Sequence, residues 1–487
     1  MRSFRILRSL AVRSASSLLP SASAAALFVV FAGCSSGSSP TGTPSADAGG
    51  DTGPTTGMQC PASTGAGTDV STSPSTDTTF TAEGSPYRID FSLDVPSDVT
   101  LTLAPCAVLL MGDGASITVD GKLVSAGVAG KPVTIQRHDP TKSWGWIDAN
   151  KQNKLPALDL SYTVLSGGGH AGSPAEQSSV VRVRGNGSGE APVEMIRVDH
   201  LEIDGSDSVG LIALESATFT ADSQALTIKG SKLEPLVTHV GAVSNLPDGD
   251  LTGNGVDVIT LTTSERLGTA SQAIDATMHK RSVPYRVGYF GDVQGSTLLI
   301  SPHQDTDPAS RLTIEAGVTV RFALGSGLEV DRDASDAAKG SLIVNGTADM
   351  PVTFTSDAAA PAAGDWFGIL LRGAPKDDTK LDHVVIAYAG SEPTTTSGFS
   401  CGTPPAMNKG EIKGALQFAT GKGVTRQLLT NSAIEHSASN GVDRGWAGSD
   451  VDYLATNTFK DIRYCAQTQN RDAMSQCPMS PTCPTAP

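Results

Sequence analysis

The chain repeats itself, and the repeat is the strongest constraint on its fold. Pro86-Tyr87-Arg88-Ile89 returns 198 residues later as Pro284-Tyr285-Arg286-Val287. Thr102-Leu103 and Ile117-x-Val119 return as Thr313-Ile314 and Leu328-x-Val330 at an offset of 211. Gly121-x-Leu123 and Lys131-Pro132-Val133-Thr134-Ile135 return as Gly340-x-Leu342 and Met350-Pro351-Val352-Thr353-Phe354 at 219. Trp144-Gly145-Trp146-Ile147 is matched by Trp366-Phe367-Gly368-Ile369, Leu160-Ser161-Tyr162 by Leu381-Asp382-His383, and Ile203-Asp204-Gly205-Ser206 by Ile434-Glu435-His436-Ser437. The order is kept while the offset grows, as insertions at the turns of a repeated solenoid require.

Within each copy apolar residues alternate with polar ones. Ile117, Val119, Gly121 and Leu123 share one side against Thr118, Asp120 and Lys122, and Leu342, Val344 and Gly346 share one side against Ser341, Ile343 and Asn345. Period two marks half-buried strands. Helix signals and two-residue hairpin turns are scarce, which favours stacked parallel strands over a meander. The runs Ala225–Gly230 and Val256–Leu261 read as further rungs. With 52 glycines in 487 residues and aromatics at 5%, the composition suits many turns around a core of small aliphatics. The fold class is therefore all-β.

The first 14 residues carry Arg2, Arg5, Arg8 and Arg13 without an acid, and an apolar run from Ala24 to Ala32 follows. This is the layout of a signal peptide, too short to span a bilayer. Val30-Phe31-Ala32-Gly33-Cys34 resembles the lipobox of bacterial lipoproteins, although Phe31 stands where that family usually has Leu. The resemblance implies cleavage after residue 33, a lipid on Cys34 that makes the membrane a partner, and, from Ser35 rather than Asp, an outer-membrane or cell-surface location. Residues 34–84 are rich in Ser, Thr, Gly, Pro, Ala and Asp and read as a disordered tether.

In an exported chain the six remaining cysteines, Cys60, Cys106, Cys401, Cys465, Cys477 and Cys483, read as disulfides. Adjacency favours Cys60 with Cys106 and the other four among themselves. Zinc at Cys465, Cys477 and Cys483 is disfavoured by irregular spacing and the lack of a nearby histidine. A formal charge of -15 argues against nucleic acid as a partner.

The strings Leu312–Phe322, Gly327–Val330, Gly340–Thr347, Pro351–Ser356 and Trp366–Ile369 resemble the repeat of right-handed parallel β-helix surface lipoproteins, pectin-lyase-like solenoids such as those of myxobacteria and relatives. The resemblance covers roughly residues 85 to 465. It implies a right-handed parallel β-helix with a first copy over 85–282, a second over 283–465, and a Cys/Pro-rich tail over 466–487 that caps the end. Cys106 stands where the second copy has Gly317, in a turn where Cys60 could reach it and pin the solenoid's start.

The fold hosts enzymes and binders alike. The sequence favours a non-enzymatic role in binding or organising polysaccharide or an envelope component; the alternative is a polysaccharide lyase or glycoside hydrolase. Asp248, Asp250 and Asp257 partly match a calcium loop, but Ile259 occupies the place of its bidentate Glu, and a plain turn explains the string as well. Asp331, Asp333 and Asp336 form a second acidic cluster, read as a solvated insertion. No other cofactor is indicated. Trp144 and Trp366 recur, so they read as packing residues. Arg444-Gly445-Trp446 has no counterpart in the first copy and is the better candidate for carbohydrate binding.

Overall fold

The computed structural model describes Cys60 and residues 66–485, except 151–154, 171–177, 188–189, 264–266, 268–273, 289–295, 303–307, 332–338, 392–400, 402–413, 421–422 and 480–481. The segment read as a signal peptide and Cys34 lie outside the described residues. Gly57–Pro487 is one compact unit, and the two copies are halves of one solenoid within it.

All strand pairs in its sheets are parallel, so the chain is a parallel β-helix. Inward positions stack on inward positions. Ile117 lies between Leu93 and Ile147 in one column, and Leu342 extends the column of Ala276 and Leu312. These side chains are excluded from solvent, while Thr118, Asp120 and Lys122 are partly exposed. The alternation seen in the sequence is therefore the alternation between core and surface. The run Ala225–Gly230 becomes the strand Gln224–Lys229, and the rung expected from Val256 starts later, at Ile259–Thr262.

The duplication is laid onto the solenoid with a rotation of one face. In the first copy one face stacks Thr78–Phe80, Thr100–Leu103, Lys122–Ala126 and the start of Leu158–Ser166. The next stacks Tyr87–Ile89, Val108–Met111, Val133–Arg137 and the end of Leu158–Ser166. The third stacks Leu93–Val95, Ile117–Val119, Ile147–Asn150 and Ser179–Arg184. This third face continues through Leu236–His239 and Ile259–Thr262 into Tyr285–Val287, the strand that repeats Tyr87–Ile89 of the second face. One 13-stranded sheet thus runs through both copies, and the other two faces of the second copy are five-stranded sheets of their own.

Corners are made by residues in the left-handed region. Tyr162 (φ 41°) and His383 (φ 51°), which align in the repeat, both sit there, as do Gly205 (φ 75°) and His436 (φ 51°). Beneath the first pair a glycine is required: a Cβ on Gly127 or Gly346 would lie 2.3 or 2.1 Å from the carbonyl oxygen of Tyr162 or His383. Trp144 and Trp366 are fully buried and donate their indole N–H to Ser166 O and Ala387 O, both at 2.8 Å.

Both ends of the solenoid are closed. The boundary drawn at residue 84 is corrected: Thr68–Asp69 and Thr78–Phe80 already pair with the first rungs, and Phe80 stacks on Tyr87 with ring centroids 4.2 Å apart. Composition missed these strands because their threonines satisfy an edge by backbone pairing rather than by bulk. Cys60 is bonded to Cys106, Cys401 to Cys477 and Cys465 to Cys483. The tail adds single parallel bridges, Gln467 to Val442 and Arg471 to Ala447, so it covers an edge that would otherwise offer unpaired backbone groups. No described helix is long and apolar enough to cross a membrane.

Candidate functional site

The tail arches over the last turn and leaves a cleft of about 660 Å³ beneath it. Two staples and a local turn set its shape. Cys477 and Cys483 tie the tail down, while Asp472 Oδ1 accepts the backbone N–H of Met474 and Gln476 at 2.9 and 2.8 Å and so fixes the bend just before Cys477. The floor is Arg444, whose Nη1 donates to Asp450 Oδ1 at 2.5 Å and to Val451 O at 2.9 Å. Gln467 donates to Asp452 Oδ1 at 2.7 Å and accepts from Tyr453 N at 2.9 Å. Burial pushes the Arg471 guanidinium below its ordinary value, and two of its contacts are the carbonyls of Thr420 and Gly445 at 3.1 and 3.0 Å. Asp450, Asp472 and Gln476 line the cleft and remain exposed. The cleft therefore offers carboxylates, carboxamides and guanidinium groups, the donors and acceptors that suit hydroxyl-rich ligands.

Here the expectation for Arg444 and Trp446 divides. Arg444 does line the cleft, but Trp446 is corrected as a sugar-stacking residue: it is fully buried, edge-on to Phe418, with its N–H donated to Ser449 O at 2.7 Å. An indole packed on both faces has none left for a ligand.

A second convergence lies on the outer side of the 13-stranded sheet. Arg286 donates to Glu234 Oε1 and to Thr260 Oγ1 (2.9 Å), and its Nη1 lies 3.7 Å from Asp357 Oδ2. The side chains of Arg286, Glu234 and Asp357 are only 7, 11 and 13% exposed. Burial raises the Asp357 carboxyl above its ordinary range, against the opposing pull of Arg286 and Arg321. On the neighbouring sheet Glu329 and Arg372 form a similar buried pair. None of these five charged groups was singled out in the sequence. Arg286 belongs to the repeated string Pro284–Val287, but its partners lie on other rungs at separations no motif encodes.

The Asp357 shift has a testable sign. A raised folded-state value means the folded chain binds that proton more tightly than the unfolded one, so stability falls as pH rises from the unfolded carboxylate value, about 3.9, through the folded value. Asp357→Asn removes this loss. Its urea midpoint should exceed that of the unaltered protein at pH 7 and converge on it near pH 3.

The acidic clusters read from the sequence do not gather. Asp248 pairs with Arg281, Asp250 Oδ1 accepts from the hydroxyl (2.7 Å) and backbone N–H (3.0 Å) of Thr252, and Asp257 accepts the N–H groups of Gly253 (3.1 Å) and Asn254 (2.8 Å). The string is built as a turn whose carboxylates hold their own backbone. Asp331 is buried and accepts from Lys339 N and Gly340 N at 3.0 and 2.8 Å, which corrects its reading as solvated; Asp333 and Asp336 lie outside the described residues. Among the described residues no group of three His, Cys, Asp or Glu side chains is placed to hold a metal ion.

A comparison with protein families bears on this arrangement. Residues 300–400 match the family model of a pectate-lyase like beta helix domain. No curated protein and no solved structure matches the chain. The pectate-lyase-like match takes in the second copy from Ile300 to beyond Ala387, with Glu329, Asp357 and Arg372 inside it and Glu234 and Arg286 outside. It carries the fold; activity has to be argued from the site.

Proposed function

We propose that the chain is a lipid-anchored surface protein, held through Cys34, whose β-helix binds extracellular polysaccharide or a neighbouring envelope component without cleaving it. The observation that carries this reading is the polar cleft under the tail. It lies at the end of the solenoid away from Cys60, and thirteen strands stacked at about 4.8 Å put it roughly 60 Å from the first rung of that sheet. A site displayed in this way suits a binder, and the Arg444 and Asp452 side chains of its lining are engaged with Asp450, Val451 and Gln467 rather than converging on one point.

The Cys34→Ala protein should be recovered from the soluble fraction and provides the material for the test. It should be retained on at least one immobilised polysaccharide. Asp450→Asn and Gln476→Ala should each weaken retention about tenfold, the worth of one good polar contact, and Gln476→Ala should do so without moving the unfolding midpoint. Retention indifferent to both changes sinks the cleft as the binding site.

A second reading, lyase or hydrolase activity, draws on the raised Asp357 carboxyl beside Arg286 and Arg321, since perturbed acids gather at catalytic centres. Buried contacts that pair Arg286 with Glu234 and Asp357 count against it. New reducing ends or unsaturated products that disappear in Asp357→Asn would establish it.

A further inference from the structure

The two copies build the same corner and then finish it differently. In the first, Thr81 N donates to Tyr87 Oη at 2.9 Å; in the second, Tyr285 Oη donates to the carbonyl of His279 at 2.9 Å, 198 residues on from Thr81. In each, a turn residue in the left-handed region lies close by, Cys106 (φ 66°) and Gly317 (φ 76°). The first copy fills this place with the side chain of Cys106, bonded to Cys60. The second has no side chain at Gly317 and leaves a pocket of about 240 Å³.

That pocket is lined with cations. Lys280 lies across the bare glycine, its Cδ and Nζ 3.3 and 3.6 Å from where a Cβ on Gly317 would stand. Arg281 is held rigidly, its side chain only 8% exposed, with Nη2 on Leu246 O, Nη1 on Asp248 and a buried Nε that has no hydrogen-bond partner. Arg321 completes the wall and is exposed. Among the described residues neither Lys280 nor Arg321 has a carboxylate within 4 Å. The nearby acids are engaged elsewhere: Glu315 with His279 at 2.9 Å, Asp357 with Arg286, and Asp248, 89% exposed, with Arg281. At the corresponding positions the first copy has Ala82, Glu83 and Leu110. The packing residues of the corner are shared by both copies and all three cations are peculiar to the second, on a chain of net charge -15. Arg281 is accounted for by its bonds to Asp248 and Leu246 O, but neither solubility nor packing gives a reason for Lys280 and Arg321 to join it, whereas an anion does.

We propose that Lys280, Arg281 and Arg321 form a binding site for a tetrahedral oxyanion, a sulfate or phosphate group. Three cations reaching one space from two rungs suit a group with acceptors in several directions. The volume accommodates one such group with a few bridging waters, at about 30 Å³ each. The site is separate from the tail cleft and does not depend on it.

Calorimetric titration of the Cys34→Ala protein with sodium sulfate and sodium phosphate, at fixed ionic strength in chloride, tests the proposal. Saturable 1:1 binding is expected, weakened at least tenfold by Arg321→Leu, which installs the first copy's residue, and by Lys280→Ala. Dextran sulfate distinguishes the sources: tighter binding per sulfate than the free ion assigns the site to a polymer-borne group, and equal binding assigns it to the free anion. Absence of saturable binding, binding unchanged in both variants, or neutral dextran competing as well as dextran sulfate overturns it.

Discussion

Trp366→Ala should cost about 3 to 5 kcal/mol, the range for truncating a fully buried aromatic. Trp366 is completely enclosed, lies parallel to Phe322 with centroids 4.1 Å apart, and donates to Ala387 O at 2.8 Å. Alanine leaves both a cavity and an orphaned carbonyl inside the solenoid. Because each rung rests on its neighbours, the loss should appear as early unfolding of the second copy rather than a uniform shift, and amide exchange along Thr319–Phe322 and Val384–Ala387 against urea concentration would read it. Trp144→Ala, with the matching bond to Ser166 O, should do the same to the first copy. A cost below about 1 kcal/mol at either site would mean that the rung collapses onto the vacancy, and the shared structural role assigned to the two tryptophans would fail.

Replacing Cys60 and Cys106 by serine should remove about 4 kcal/mol, the chain-entropy value for closing a loop of 46 residues. The effect should be confined to the first turns. The strands Thr68–Asp69 and Thr78–Phe80 are short and lie at an edge, and the bonds from Thr68 N to Pro86 O (2.9 Å) and Val70 N to Arg88 O (3.0 Å) should open first. Their amides are expected to exchange faster in the double variant, while those of Gly441 and Val442, bonded to Cys465 O and Ala466 O under the other cap, stay as they were. Equal protection of Thr68 and Val70 in both proteins would show that the bridge does not hold the solenoid's start.

Much of this architecture is legible in the chain because it depends on local pattern. The alternation at Ile117–Leu123 and Leu342–Gly346 gives strand and facing, since period two has one structural meaning. The aligned residues Tyr162 and His383, and Gly205 and His436, share a backbone region in the folded protein, so the repeat was a repeat of conformation as well as of residues. Cysteine adjacency gave the pairing of Cys60 with Cys106 and left the other two bridges unresolved between Cys401, Cys465, Cys477 and Cys483. Composition failed at residues 66–84, where threonine-rich segments pair as edge strands, and at Trp446, where residue type suggested a ligand contact and packing used the ring for itself.

What the sequence by itself determined is the all-β repeated fold, which side of each strand faces inward, and the packing role of Trp144 and Trp366. Only the tertiary structure decided the one-face rotation between the copies, the gathering of Glu234 and Asp357 on Arg286, the cleft beneath the tail, and the cationic pocket of Lys280, Arg281 and Arg321. The physical reason is that a solenoid sets residues side by side when they lie one full turn apart. Turns here differ in length with every inserted loop, so the spacing that brings two side chains within hydrogen-bond reach is fixed by stacking at about 4.8 Å and leaves no constant interval in the chain.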